Sequence, residues 1–97
     1  MLAQTSRVTV STLGTTSLQF LQDEPRRAKL ILCNDSPNNI FLSMLGKAVV
    51  NEGIFLIANG GSYCEEPDVY GRIFTGVWSG IATVAGSILT ICEVISP

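Results

Sequence analysis

The chain has 97 residues, of which 46% are hydrophobic and 14% are charged, and its formal net charge is −2. This length is typical of one domain, so we expect residues 1–97 to form a single domain. The weak negative charge argues against DNA or RNA as a partner, because nucleic-acid-binding proteins carry a basic face. The charged fraction is well below the usual value of about 25%, which predicts apolar surface that another chain covers.

Three cysteines, Cys33, Cys64 and Cys92, are odd in number and contain no C-x-x-C pair, so no disulfide framework is predicted. Each lies in an apolar stretch, where a free cysteine behaves as a small hydrophobe in a reducing compartment. The first ten residues, MLAQTSRVTV, lack the basic and apolar regions of a secretory signal. We therefore expect a protein that is made in the cytoplasm.

Branched and aromatic residues recur in short runs that turn formers separate, which is typical of β-strands. In chain order the runs are RVTVST, TTSLQFLQ, RAKLILCN, NIFLSML, AVV, GIFLIA and SYCEE, and the turns between them include DSPNN, NEG, NGG and PD. There is no amphipathic helical segment and no alternation of strands with helices. The sequence therefore predicts an all-β fold, an antiparallel β-sandwich or jelly roll of about eight short strands.

Residues 73–92, IFTGVWSGIATVAGSILTIC, carry no charged side chain and are long enough for a membrane-spanning helix. Gly76 and Gly80 also have the spacing at which membrane helices pack, so a small membrane protein with a helix at 73–92 is one interpretation. The segment nevertheless holds nine β-branched residues and one leucine, which favours strands. We therefore predict strands at 73–78, 81–84 and 88–95, with turns at Ser79-Gly80 and at 85–87.

Alternation with period two predicts which strand residues are buried and which face outward. The predicted core residues are Leu30, Leu32, Ile40, Leu42, Ile54, Leu56, Ile73, Leu89 and Ile91. The opposite faces of two strands also carry large apolar side chains, namely Phe41, Leu45, Phe55 and Ile57. A monomer would expose these four, so they are the candidate interface residues of a homo-oligomer.

The sequence predicts no catalytic residue, metal site or cofactor, and we expect the protein not to be an enzyme. Histidine is absent, which removes the commonest general base and most zinc ligand sets. The acidic cluster at 65–68 could offer oxygens to a cation, but calcium usually needs six to eight ligands in a defined loop, so a solvated turn is favoured. The basic residues Arg26, Arg27 and Lys29 are predicted to lie at the solvent-exposed start of a strand and to form local ion pairs. Trp78 is assigned to the core or an interface rather than to a stacking platform for sugars or bases.

A series of short motifs between residues 26 and 95 resembles, in its order, a group of small virion proteins of tailed bacteriophages. The motifs are Arg26-Arg27, Leu30-x-Leu32-x-Asn34-x-Ser36, Ile40-x-Leu42, Gly53-Ile54-x-Leu56, Gly60-Gly61-Ser62-Tyr63, Gly71-x-Ile73, Ser79-Gly80 and Leu89-x-Ile91-x-Glu93. These virion proteins are β-sandwich or jelly-roll modules, some of which decorate or cement capsids while others anchor head or tail fibres. Residues 1–25 have no counterpart and are expected to form an N-terminal arm or an edge hairpin. The apolar run at 55–57 departs from the more polar outer face of the group.

The resemblance implies a non-enzymatic structural protein of the virion that decorates or cements the capsid, with a tail or fibre attachment module as the alternative. It implies a homotrimer that binds the major capsid protein or another virion protein. No cofactor, nucleic acid or membrane is expected as a partner. The expected location is the virion, after synthesis in the host cytoplasm.

Overall fold

Eight β-strands form two four-stranded antiparallel sheets in the computed structural model, which describes residues 4–96. Sheet A has the strand order β1-β8-β3-β6, and sheet B has the order β2-β7-β4-β5. The strands are β1 Thr5–Leu13, β2 Leu18–Leu21, β3 Arg27–Asn34, β4 Ile40–Met44, β5 Ile54–Leu56, β6 Ser62–Glu65, β7 Trp78–Ala82 and β8 Ser87–Ile95. The predicted all-β fold is confirmed. Within residues 4–96 no helix is long and apolar enough to cross a membrane.

The strand pairing is that of one long hairpin that has been rolled up. β1 pairs with β8, β2 with β7, β3 with β6 and β4 with β5, so the two halves of the chain pair in reverse order. The additional pairs β3–β8 and β4–β7 join these four strand pairs into the two sheets. This nested order is that of a jelly roll, the second of the two architectures that the sequence predicts.

The core lies between the two sheets and follows the predicted alternation closely. Seven of the nine predicted residues are buried, namely Leu30, Leu32, Ile40, Leu42, Leu56, Leu89 and Ile91. Ile54 is half-buried and packs against this cluster. Ile73 is half-buried in the loop before β7, and the next residue, Phe74, packs against the core in its place. The assignment of Ile73 to a buried strand face is therefore wrong.

The apolar segment 73–92 forms a loop, the whole of β7, a turn and most of β8, so both the helix and the three-strand interpretations need correction. Ser79 and Gly80 lie inside β7 rather than in a turn. A Cβ atom on Gly80 would stand 2.9 Å from Leu13 Cδ1 and 3.2 Å from Phe20 Cε1, so glycine lets these side chains approach the strand. The predicted turn before β8 is confirmed, since residues 85–86 form it.

The N-terminal strands β1 and β2 are edge strands of different sheets, so no hairpin joins them. β1 pairs with β8 along its whole length, and β2 pairs with β7 through a register shift between Gln19 and Leu21. The chain crosses from sheet A to sheet B at Gly14, whose carbonyl accepts a hydrogen bond from the N–H of Ala82. Residues 1–3 of the predicted N-terminal arm lie outside the described residues.

Candidate interaction surface

The outer face of sheet B carries a pair of stacked phenylalanines. Phe41 on β4 lies opposite Phe55 on β5 and opposite Ile81 on β7. The two rings are tilted by 31°, with their centroids 5.2 Å apart. Phe41 is only 7% exposed, whereas Phe55 is 51% exposed. Phe55 is therefore the solvent-facing member of the pair.

Phe41 is buried because the loop between β4 and β5 folds over it. Ala48 of this loop forms a small apolar cluster with Phe41 and Ile81. The N–H of Ala48 donates a hydrogen bond of 2.8 Å to the Oγ of Ser17, which holds the loop against the sheet. Phe41 is thus not exposed in the single chain, contrary to the sequence analysis, and it supports Phe55 from beneath.

The other two candidate interface residues lie at opposite ends of the β4–β5 pair. Leu45 follows β4 with a positive φ of 64°, and its N–H donates to the carbonyl of Val77. Ile57 follows β5, two residues from Phe55, and is 60% exposed. Since β4 and β5 are antiparallel, about six residue positions or roughly 20 Å separate Leu45 from Ile57. We call Phe55 and Ile57, with Phe41 beneath them, the Phe55 surface.

A buried ion pair joins β3 to β8, and sequence reasoning missed it. The Nε of Arg27 lies 2.8 Å from Oε2 of Glu93, and both side chains are buried. The guanidinium also donates to the carbonyls of Gln22, Phe74 and Gly76 at 3.0 to 3.3 Å. The prediction that Arg27 is solvent-exposed at the start of a strand is therefore wrong. Its guanidinium instead holds two loops against the end of the sandwich.

A third charged residue, Arg7, extends this ion pair to the surface, beside a cleft of about 440 Å³ between the edge strands β1 and β2. The Nη2 of Arg7 on β1 lies 3.0 Å from Oε1 of Glu93 and 3.8 Å from Oε2 of Glu24. The two oxygens of Glu93 are thus occupied by two arginines of the chain itself. The cleft therefore presents a buried carboxylate that is already neutralised.

A second polar cluster, centred on Asn34, lies at the other end of β3. The fully buried Asn34 amide donates to the carbonyls of Asn38, Leu56 and Ile57 at 2.7 to 3.2 Å. Its Oδ1 accepts hydrogen bonds from the N–H and the hydroxyl of Ser36. Every one of these contacts is made to the chain itself, so the Asn34 cluster ties two loops together.

The acidic residues at 65–68 each bind separate groups of the chain. Glu65 accepts a hydrogen bond of 2.7 Å from the N–H of Phe74, and Glu66 pairs with Lys29. A hydrogen bond from the backbone N–H of Arg72, with another from that of Tyr70, holds the pKa of the Asp68 carboxyl below its usual value. Among residues 4–96 no group of three or more metal-ligating side chains is close enough to hold a metal ion.

The three cysteines are free thiols on the outer face of sheet A. Cys64 on β6 and Cys92 on β8 flank Ile31 of β3 on either side, and Cys33 lies two residues further along β3. Cys64 is exposed, while the other two are half-buried. Burial raises the pKa of the Cys33 thiol, and the neighbouring carboxylate of Asp35 raises it further.

Comparison of the chain with family models, with curated proteins and with solved structures finds no match in any of the three. Function must therefore be argued from the fold and its surfaces.

Proposed function

We propose that this protein is a non-enzymatic structural protein of a virion, which decorates or cements the capsid as a homotrimer. The observation that carries the proposal is the Phe55 surface on the outer face of sheet B. Phe55 is 51% exposed and lies beside Ile57, which is 60% exposed, so a contact with another chain would cover both apolar side chains. The jelly roll adds support, since viral capsid domains use this architecture.

Assembly through this surface would bury apolar area that the single domain leaves exposed. A domain of this size has a stability of about 5–15 kcal/mol. Complete burial of one large apolar side chain contributes roughly 1.5–3 kcal/mol, so covering the exposed parts of Phe55 and Ile57 adds a substantial fraction of that stability. A closed ring of three subunits covers the same side chains on every copy. The ring of Phe55 is already held by Phe41 at a centroid distance of 5.2 Å, so little side-chain entropy is lost on contact.

The test of the interface is the change Ile57→Asp, with Phe55→Asp as a second variant. A carboxylate in a packed contact loses its hydration without gaining a partner, so the mass of the assembly should fall to one third in sedimentation. Ile57→Asp comes first because Phe55 also packs on Phe41. Val69→Asp is the matched control, since Val69 is 92% exposed in a loop of the same chain.

Two results would contradict this assignment of the interface. One is an unmodified protein that shows no three-fold assembly at micromolar concentration. The other is an Ile57→Asp variant that keeps its full assembly mass while its circular dichroism spectrum shows a folded sheet protein. The same spectrum would expose a variant that merely unfolds.

The role in the virion is tested by mass spectrometry of purified particles, with copy number measured against the major capsid protein. A decoration or cement protein should be present in a fixed ratio to the capsid protein. A few copies per particle would favour the tail or fibre attachment module. Absence from particles that are otherwise complete would reject the structural role.

A further inference from the structure

One of the four sheet edges differs from the other three. The edge strands β6, β2 and β5 have only four, four and three residues, and β2 also carries a register shift. β1 has nine residues and pairs with β8 in one unbroken register. Short or irregular edge strands prevent pairing with other chains, whereas a long regular edge invites it. Within residues 4–96, three edges are therefore protected and the fourth is open.

The open edge also lacks the side chains that usually protect one. β1 reads TSRVTVSTL, with no proline and no lysine, and its single charged residue is Arg7. Arg7 forms an ion pair with Glu93, with 3.0 Å between its Nη2 and Oε1 of Glu93. Val8 and Val10 are each 63% exposed. Within residues 4–96 no strand pairs with the outer edge of β1.

We propose that this edge pairs with β1 of a second copy of the chain, antiparallel about a two-fold axis at Thr9. The two sheets A would then form one continuous eight-stranded sheet. Along a strand, successive residues point their backbone N–H and C=O groups alternately to one side and to the other. In an antiparallel pair, two residues that lie opposite each other must both point these groups toward the partner strand or both point them away. Between two copies of β1 this holds only if the two-fold axis passes through a residue rather than between two residues, and Thr9 is the middle residue of β1.

The sequence of β1 is self-complementary in this register. Val8 of each copy lies opposite Val10 of the other, which gives two apolar pairs on one face. Thr9 lies opposite Thr9 of the second copy, and Thr–Thr is a favourable cross-strand pair. Arg7 lies opposite Ser11, whereas a register centred on Arg7 would place two like charges together. Charge and side-chain size thus favour a second copy as the occupant of this edge.

The contact at β1 is independent of the Phe55 surface, because the two lie in different sheets. A two-fold and a three-fold contact combine into a closed assembly of six copies when their axes meet at right angles. The two contacts can be removed one at a time. A failure of either proposal is therefore recognised without reference to the other.

The first experiment removes the β1 contact with the double change Val8→Lys and Val10→Lys, which places four ammonium groups opposite one another across the two-fold axis. Both positions are well exposed, so the fold should tolerate lysine. We expect the assembly mass to fall to that of the trimer in sedimentation. In the Ile57→Asp background the fall should be from dimer to monomer. Val69→Lys is the matched control and should leave the mass unchanged.

The second experiment tests the register with a single engineered cysteine, after Cys33, Cys64 and Cys92 have been replaced by alanine. Cross-strand Cα atoms are about 4.5–5.5 Å apart, which lies within the range of a disulfide. Thr9→Cys should therefore form a covalent dimer under mild oxidation. Ser6→Cys should not, because the two copies of residue 6 would lie roughly 20 Å apart. A double-lysine variant with unchanged mass, or equal crosslinking at residues 6 and 9, would overturn the proposal.

Discussion

The change Glu93→Gln should remove a large part of the stability of the domain. In the unmodified protein, Nε of Arg27 lies 2.8 Å from Oε2 of Glu93. The change keeps the shape of the side chain at position 93 but leaves the buried guanidinium of Arg27 without this counter-charge. Removing one partner of a buried ion pair typically costs about 3–5 kcal/mol. The total stability expected for a chain of this length is about 5–15 kcal/mol. We therefore expect Tm to fall by about 12 °C or more.

The assay is urea denaturation followed by the fluorescence of Trp78, the single tryptophan, which is fully buried. The midpoint should fall while the slope stays constant, which identifies a loss of stability rather than a change in compactness. Asp68→Asn is the matched control, because Asp68 pairs with Arg72 at 3.0 Å but both residues are exposed. The control should show a much smaller shift. A Glu93→Gln shift no larger than that of the control would refute the reasoning.

Three further predictions follow from local geometry. Asn34→Ala should cost about 2–3 kcal/mol in the same denaturation assay, because it leaves three carbonyls without their donor. Gly53→Ala should destabilise the protein more than Gly86→Ala; both glycines have φ near +80°, but only at Gly53 would a Cβ atom lie 2.3 Å from a backbone oxygen, and equal losses would contradict this. Iodoacetamide should modify the exposed Cys64 before Cys33, whose pKa is raised by burial, and mass spectrometry of the peptides would show the reverse order if the faces were wrongly assigned.

The strand pattern of the sequence predicted the fold where side-chain alternation and turn chemistry agreed. This was so for β3, β4 and β8, whose inward residues are those expected. It failed at Ser79-Gly80, which has the composition of a turn but lies in the central strand β7. Gly80 is needed inside the strand, because the close approach of Leu13 and Phe20 requires a residue without a Cβ atom there. Such long-range contacts leave no signal in the local sequence.

The exposure of the candidate interface residues was predicted in part. Leu45, Phe55 and Ile57 are exposed as expected, and alternation alone was enough to find them. The burial of Phe41 depends on the path of the β4–β5 loop, which alternation does not describe. The buried ion pair did leave a signal that was overlooked. Glu93 stands in phase with the core residues Leu89 and Ile91 on β8, where a charged side chain needs a buried partner.

The two polar clusters explain why partners should approach the sides of the sandwich rather than its ends. Arg27 and Asn34 lie at opposite ends of β3. Arg27 donates hydrogen bonds to three loop carbonyls, and Asn34 donates to two loop carbonyls and to that of Leu56 at the end of β5. Loop carbonyls at the ends of a sandwich lack partners in the sheets, and leaving them buried without donors would cost stability. Arg27 and Asn34 supply those donors from within the chain, so the loops they bind are already held in place. Phe55 and Ile57 on the outer face of sheet B, and the edge of β1 that pairs with no strand within residues 4–96, lie away from these two clusters, where assembly can cover them.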